Sequence, residues 1–326
     1  MIKISLILPI YNVEKYLSRC ITSCLQQDMA EEDYEIIAVI DGSPDGSLSI
    51  AKKFAKQYCN IVVLEKTNGG LSDARNFGIN ASHGKYVWCI DPDDYIEPNI
   101  LGSIYKRMES GNLDALWIRY RNINENNEII PYYDIPLRSH NTTIMNGPEF
   151  MGKVMATYMM AWTFIYRKNF LVENSLWYKK GMIYEDTEFA YRALPKLNRI
   201  QLFDNICYNY LQRRGSISKN YSFKKYKDIC TNIQMANRMQ KLDWGNNSET
   251  NKFFQNSCTA LTILAIKEYI KVRNKDFYTI LKQTLLTEPP VKKLSAFGGI
   301  KEKILIYTYN TLGNRFFFFI LKLIIK

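Results

Sequence analysis

Asp91-Pro92-Asp93-Asp94, at the end of an apolar run, is the part of this 326-residue sequence with the clearest chemical purpose. Two acids one residue apart at the end of a buried strand concentrate negative charge where desolvation is costly unless a cation is present. Hard oxygen ligands of this kind suit Mg2+ or Mn2+, which take one or two protein carboxylates and leave other positions to substrate phosphates. A site for a metal and a diphosphate follows; the competing reading is an acidic turn that caps the next helix. Two other motifs fail on their own spacing. Asp41-x-Ser43-x-Asp45-Gly46 opens like a calcium loop, but Lys52 stands at the twelfth position, where a bidentate Glu is required. Gly78–Lys85 resembles a phosphate loop, yet five residues separate its glycines and Tyr86 follows the Lys where Ser or Thr is needed.

Short apolar runs alternate with helical patterns around these acids. Ile4–Leu8 reads as a first strand, followed by Val13, Tyr16, Leu17, Cys20, Ile21, Cys24 and Leu25 at helical spacing, with Asn12 placed to cap that helix. Glu35–Ile40, Ile61–Leu64 and Lys85–Ile90 read as three more strands, with helices marked by Ala51, Phe54, Ala55 and Tyr58 and by Ser72–Ala81 between them. Strands that are apolar throughout, separated by helices, predict a doubly wound α/β unit with parallel pairing. Ligands of such sheets bind beyond the carboxyl ends of the strands. The segments expected there are Pro9-Ile10-Tyr11-Asn12, Asp41–Ser47, Asn68–Asn76 and Asp91–Asp94, all converging on one rim. Further along, the spacing predicts helices over Asn99–Glu109, Pro148–Tyr158 and Asp186–Leu194, and strands over Ala115–Tyr120, Ala161–Tyr166 and Ile200–Leu211, with a loop or hairpin at Asn122–Glu128. From Ser222 only helical patterns appear, so a boundary is expected near residue 220.

The ordered set Pro9-Ile10-Tyr11-Asn12, Val39-Ile40-Asp41-Gly42-Ser43-Pro44-Asp45, Asn68-Gly69-Gly70-Leu71-Ser72-Asp73-Ala74-Arg75-Asn76, Asp91-Pro92-Asp93-Asp94, Glu185-Asp186 and Gln212-Arg213-Arg214-Gly215-Ser216-Ile217 resembles glycosyltransferase family 2. The resemblance covers about residues 1–220. It implies the α/β type-A glycosyltransferase fold, Rossmann-like with a mostly parallel central sheet. The activity it implies is inverting sugar transfer from a nucleotide-sugar donor; residues 221–326 match only loosely the helical extensions of bacterial members that build capsule, exopolysaccharide or lipopolysaccharide. Residue by residue, it implies that Asp41 accepts a hydrogen bond from the donor base, usually uracil, and that Pro9, Tyr11 and Glu14 line the same pocket. Arg75 is implied near the base and phosphates, Asp91 at ribose or metal, Asp93 as the metal ligand, Asp186 as the catalytic base and Arg213 on the diphosphate. Two departures stand out: Ile40, where the family often has a first acid, and Leu211, where an Arg is frequent.

Such a transfer needs few groups. A positioned carboxylate takes the acceptor's proton as the bond forms, typically worth about 10²–10⁴-fold. Asp186 begins a predicted helix, whose dipole is expected to keep it ionised; the plainer reading is a carboxylate that only stabilises its helix. The leaving diphosphate needs neutralisation, which Asp93-held Mn2+ or Mg2+ and Arg213 would supply. A glycosidase would instead need two carboxylates flanking the scissile bond and no nucleotide pocket. Glu185 is expected to bind acceptor or orient Asp186. Trp162 and Trp177 either stack on an acceptor sugar or pack in the core. Asp45 and Ser47 read as turn and cap residues, and His83 and His140 as ordinary hydrogen-bonded histidines.

Composition narrows the rest. With 47% apolar residues and 13% aromatic, the chain is neither disordered nor fibrous. Seven scattered Cys without CxxC pairs and two His argue against a soft-metal or disulfide framework and for a reducing compartment. The opening apolar run, too short for a signal core, reads as a strand that stays in the cytoplasm. The net charge of +11 is uneven: residues 205–326 hold 21 Lys and Arg against 7 Asp and Glu, leaving 22 against 25 before them. Val291–Lys326 ends in an apolar, phenylalanine-rich run flanked by cations, far short of the ~20 residues that span a bilayer. It reads as an interfacial anchor on the cytoplasmic face of the inner membrane, or as a surface packed on its own domain or on a second subunit in a homo-oligomer. The expected partners are a nucleotide-sugar donor, a saccharide or lipid-linked saccharide acceptor and that membrane surface. Nucleic acid is not among them, since the basic residues lie among helices without an RNA-binding aromatic motif or zinc module. A catalytically silent nucleotide-sugar-binding subunit of a polysaccharide-assembly complex is the alternative function.

Overall fold

The computed structural model describes residues 1–130, 137–156, 159–213, 222–244, 248–272 and 275–287. At its centre is one eight-stranded sheet, in the spatial order β3-β2-β1-β4-β7-β6-β8-β5. Strands β1 (Ile4–Ile10) and β2 (Tyr34–Asp41) are buried along their whole length. They are largely apolar because helices or neighbouring layers cover both faces, and the buried polar pair Ser5 and Glu35 hydrogen-bond to each other at 2.6 Å. β1 pairs in parallel with β2 from Ile4 opposite Tyr34 to Ile10 opposite Ile40, and with β4 (Tyr86–Cys89) from Ile4 opposite Tyr86 to Ile7 opposite Cys89. β3 (Ile61–Lys66) pairs in parallel with β2 and brings Lys66 opposite Asp41. The crossovers are α1 (Glu14–Leu25), α2 (Ser47–Ala55) and α3 (Leu71–Ala81). With all four strands parallel, their carboxyl ends share one rim.

The other half of the sheet mixes directions. β7 (Phe164–Arg167) is antiparallel to β4, and β6 (Ala115–Ile123) is antiparallel to β7 and parallel to β8 (Ile200–Leu211). A short strand, β5 (Tyr95–Ile96), closes the edge against β8. Register shifts around Arg119 bulge β8 and swing its final residues toward the rim. Helices α4 (Leu101–Ser110), α5 (Gly147–Lys153), α6 (Lys168–Glu173) and α7 (Glu185–Ala193) connect these strands. After β8 come α8 (Phe223–Gln240), α9 (Ser248–Val272) and α10 (Lys275–Thr287). One apolar core runs from Ile4 on β1 through Trp88 and Trp117 to Phe253, Phe254 and Leu281 on these last helices. Tyr191 on α7 meets the ring of Phe254 on α9 edge-on at 5.4 Å, which ties the helical extension to the sheet layer.

Three local expectations are corrected. Asn12 does not cap α1: it sits at φ +53°, and the cap comes from the next loop, where Asp45 Oδ2 accepts the Glu14 N–H at 2.9 Å. The helix expected over Pro148–Tyr158 ends at Lys153, and residues 157–158 lie outside the described ones. The strand expected from Ala161 begins as a 3-10 turn, Ala161–Thr163, and extends only from Phe164. The short β5 has no periodic signal at all. The boundary expected near residue 220 and the basic, phenylalanine-rich tail fall outside the described residues.

Gly78 shows how closely α3 lies on the sheet, since a Cβ there would come within 2.4 Å of Ile7 Cγ2 and 3.1 Å of Val39 Cγ2. Both atoms belong to β-branched side chains that are stiff at χ1. Gly78→Ala should therefore cost about 1–3 kcal/mol in overpacking, outweighing the ~1 kcal/mol that Ala gains in helix propensity. Urea unfolding checks the sign; a variant more stable than the parent would show that this contact yields.

Candidate active site

The rim encloses an open cleft of about 530 Å3. The end of β1 contributes Pro9, Tyr11 and Val13, and β2 contributes Asp41. Pro9 cannot donate to a ladder, but β4 pairing stops at Ile7, so the missing N–H falls where the sheet is already opening. Asn68, Gly70, Leu71, Ala74 and Arg75 come from the entry and first turns of α3, and Asp91, Pro92 and Asp93 follow β4. Met160 and Trp162 line the cleft beside β7, Ile183–Asp186 line it at the entry of α7, and Tyr210 and Arg213 at the end of β8. Ten of the eleven residues expected in the site border this one cleft.

Glu14 is the exception. It is exposed, and its Oε2 accepts the Gly46 N–H at 2.5 Å. Glu14 and Asp45 thus exchange hydrogen bonds with each other's loops, joining α1 to α2 outside the cleft. Asp45 is the cap residue it was expected to be. Partial burial works against its ionisation, but bonds from Ser43 and from the N–H groups of Glu14 and Ser47 outweigh this and lower its pKa to about 2.

Asp41 is buried at the cleft wall and hydrogen-bonded to its own neighbourhood. Its Oδ1 accepts Lys66 Nζ at 2.5 Å and the Gly69 N–H at 2.9 Å, while Oδ2 accepts the Gly70 N–H at 2.8 Å. Gly42 at φ +63° and Gly70 at φ +87° supply the left-handed turns that this wrap requires. Tyr11, 50% exposed, stands free beside it at the mouth.

Arg75 is 2% exposed, and its guanidinium spans two acids: Nη1 donates to Glu185 Oε1 at 2.5 Å and Nη2 to Asp91 Oδ1 at 2.7 Å. Burial acts to lower its pKa, but the two carboxylates prevail and raise it well above the usual arginine range. Arg75 is therefore a strut between α3, the turn after β4 and the entry of α7. Asp93 Oδ2 accepts Arg213 Nε at 2.7 Å. Burial first, then the charge of Asp91, raises the Asp93 pKa, with Arg213 opposing. The third acid of the run, Asp94, turns away into the core: it accepts Tyr208 Oη at 2.8 Å and the Leu211 N–H at 2.7 Å, and burial drives its pKa well above the carboxylate range.

Asp186 lies in the first turn of α7 and accepts the Thr187 N–H at 2.7 Å. The expectation that the helix dipole keeps it ionised is corrected. Burial pushes its pKa up to about 7, Glu185 adds to the rise and Arg75 opposes it. Desolvation outweighs the dipole because the dipole is worth at most about 2 kcal/mol and falls off within one turn. Trp162 is a wall rather than a platform. It is 2% exposed, its ring stacks on Tyr208 at 4.2 Å and 3°, and Tyr120 meets it edge-on at 4.7 Å. Trp177 is half-buried against the core. His83 and His140 bond to Glu35 and Asp204, as expected of ordinary histidines. Sequence reasoning missed Lys66, which pairs with Asp41 and Asp73, and Met160, Ile183, Tyr184 and Tyr210 in the lining of the cleft.

The cleft thus carries five carboxylates (Asp41, Asp91, Asp93, Glu185, Asp186) and two arginines, both already engaged by those acids. A diphosphate entering it needs additional positive charge. Among the described residues no group of three or more His, Cys, Asp or Glu could hold a metal. The chain would supply one or two carboxylates, Asp93 with Asp91, and substrate oxygens the rest, a donor set that fits Mg2+ or Mn2+.

Comparison with known proteins agrees with this layout. The profile described as Glycosyl transferase family 2 matches residues 5–192. The chain is 29% identical over 222 residues to the uncharacterized glycosyltransferase EpsJ of Bacillus subtilis, covering 66% of this chain and 63% of EpsJ, so it spans less than two thirds of that relative. The crystal structure of Staphylococcus aureus TarS 1–349 in complex with UDP-GlcNAc superposes with a TM-score of 0.76 at 20% identity, over 98% of this chain and 91% of that one. The mannosyltransferase PcManGT from Pyrobaculum calidifontis, in complex with GDP-Man and Mn2+, gives a TM-score of 0.55 at 14% identity, over 99% and 85%. These likenesses establish the type-A glycosyltransferase fold with a helical C-terminal region. With more than half of its length matched by the profile, the chain belongs to glycosyltransferase family 2.

Proposed function

We propose that the chain transfers a hexose or N-acetylhexosamine, with inversion, from a nucleotide-diphosphate donor to a saccharide or lipid-linked saccharide acceptor in the synthesis of a bacterial surface polysaccharide. The observation that carries this reading is the placement of the Asp186 carboxyl on the same cleft as the acidic pair Asp91 and Asp93, where burial pushes its pKa up to about 7. A group poised near neutral pH suits proton abstraction. The TarS complex with UDP-GlcNAc supports a UDP-sugar as the donor to try first, and the PcManGT complex supports a divalent cation.

In the mechanism, Asp41, Pro9 and Tyr11 hold the nucleoside at one end of the cleft, with Asp91 near the ribose. Asp186 accepts a hydrogen bond from the acceptor hydroxyl. As that oxygen bonds to the anomeric carbon, its proton passes to the Asp186 carboxylate, and the bond to the diphosphate oxygen breaks with its electron pair remaining on the phosphate. A single displacement inverts the anomeric centre. Asp93, with Asp91, would hold Mn2+ or Mg2+, whose charge stabilises the departing diphosphate. Arg213, now paired with Asp93, sits within reach of the same negative charge. Arg75 and Glu185 keep Asp186 in register with the donor side.

The basic tail supports peripheral attachment at the cytoplasmic face of the inner membrane, where lipid-linked acceptors would be presented. Among the described residues no helix is long and apolar enough to cross a membrane.

Four measurements test this. Asp186→Asn should leave UDP binding nearly unchanged and slow transfer at least about 10²-fold. Since the base must be deprotonated, kcat should rise about tenfold per pH unit below 7 and level off above it; a rate that is flat from pH 5 to 9 would remove Asp186 from this role. A thermal-shift screen of UDP- and GDP-sugars with Mn2+ should select one donor, and Asp93→Ala should abolish the Mn2+-dependent part of that shift; an unchanged shift defeats the metal assignment. The full-length chain should sediment with anionic liposomes at low salt and be released at high salt, and failure to bind would sink the membrane reading.

A further inference from the structure

The segment that delivers Asp186 has no cap of its own. Tyr184, at the N-cap of α7, stands in the left-handed region at φ +63° and makes no side-chain hydrogen bond to the helix it opens. A non-glycine residue held there costs on the order of 1–3 kcal/mol and persists only where its surroundings over-determine it. Two such surroundings are visible. On the α3 side, Asn76 binds both backbone groups of Tyr178, donating to its carbonyl at 2.8 Å and accepting its N–H at 2.8 Å, and Arg75 reaches Glu185. On the opposite side stands α8, beyond the residues that the family profile matches.

Three α8 residues at successive helical turns meet this segment. Asp228 Oδ2 accepts the Ile183 N–H at 2.9 Å. Asn232 Nδ2, fully buried, donates to the Tyr184 carbonyl at 3.1 Å. Lys225 Nζ lies 6.0 Å from the centre of the Tyr184 ring and is itself held at 3.1 Å by Glu268 of α9. Positions 225, 228 and 232 share one helix face. Ile183 and Tyr184 are the two residues before the Glu185-Asp186 pair, and both line the same cleft as Asp186.

We propose that Asp228 and Asn232 are positioning residues for the base: α8 grips the backbone of Ile183 and Tyr184, fixing the strained entry of α7 and hence the place of the Asp186 carboxyl. The helical extension is then a working part of the site. This rests on Asp186 being the base, and the test separates the two claims. Asp228 is half-buried on the helix surface, so Asp228→Ala is compatible with folding. It should speed hydrogen exchange in a peptide covering residues 178–187 about tenfold or more, leaving β1, β2 and β4 unchanged. It should also lower kcat for UDP release from UDP-glucose or UDP-N-acetylglucosamine about 10–100-fold, with UDP binding within twofold. Asp228→Asn keeps an acceptor oxygen for the Ile183 N–H and should restore both readouts. In an Asp186→Asn background, Asp228→Ala should cost nothing further. Unchanged exchange at 178–187, equal loss of kcat and UDP affinity, or an Asp228→Asn variant as poor as the alanine would each overturn the proposal. Full turnover by Asp186→Asn alone would instead overturn the base, while the exchange result still decides the clamp.

Discussion

A buried guanidinium organises this cleft. Arg75 cannot shed its proton under any ordinary condition, so a position 2% exposed commits the fold to placing acids around it. Those acids are Asp91, after β4, and Glu185, at the entry of α7. Residues far apart in the chain are thereby drawn to one point. Removing one partner of such a buried pair typically costs about 3–5 kcal/mol, because the remaining charge is left uncompensated. Tyr178, whose ring centre lies 5.3 Å from the guanidinium, extends the same contact into the loop that precedes α7.

Around that strut the protein separates its charges. The cleft holds more carboxylates than cations, while the excess positive charge of the chain belongs to its last third. The acids differ by environment rather than by type. Asp94 is turned into the core against Tyr208, Asp93 meets Arg213, and Asp186 is desolvated at the entry of α7, with its pKa pushed up to about 7. A surface left negative in this way favours a ligand that arrives with cations, and it gives one carboxyl a reason to carry a proton near neutral pH.

Much of this was legible in the sequence. β1, β2 and β4 announce themselves as largely apolar runs because parallel strands are covered on both faces, and the strand read over Ile200–Leu211 matches β8. The rim residues followed from the rule that loops at strand carboxyl ends gather. Errors arose where a residue's neighbour comes from elsewhere in the chain. Asn12 has the composition of a cap, yet Asp45 performs that task from the next loop. Glu14 lies one turn from the cleft but faces Gly46. Of the two readings left open for Trp162, packing is the one seen, with its ring stacked on Tyr208.

Sequence alone determined the family, the parallel half of the sheet and the set of polar residues at its rim, because hydrophobic periodicity and short motifs are local properties that pairing distance does not alter. Only the tertiary structure decided which of the acids face the cleft, how deeply each is desolvated and what holds it. Asp93 and Asp94 are adjacent in the chain yet point to different surroundings, and the entry of α7 is gripped by a helix more than forty residues away. Burial and long-range hydrogen bonding set the protonation and place of a carboxyl, and neither is written in its immediate neighbours.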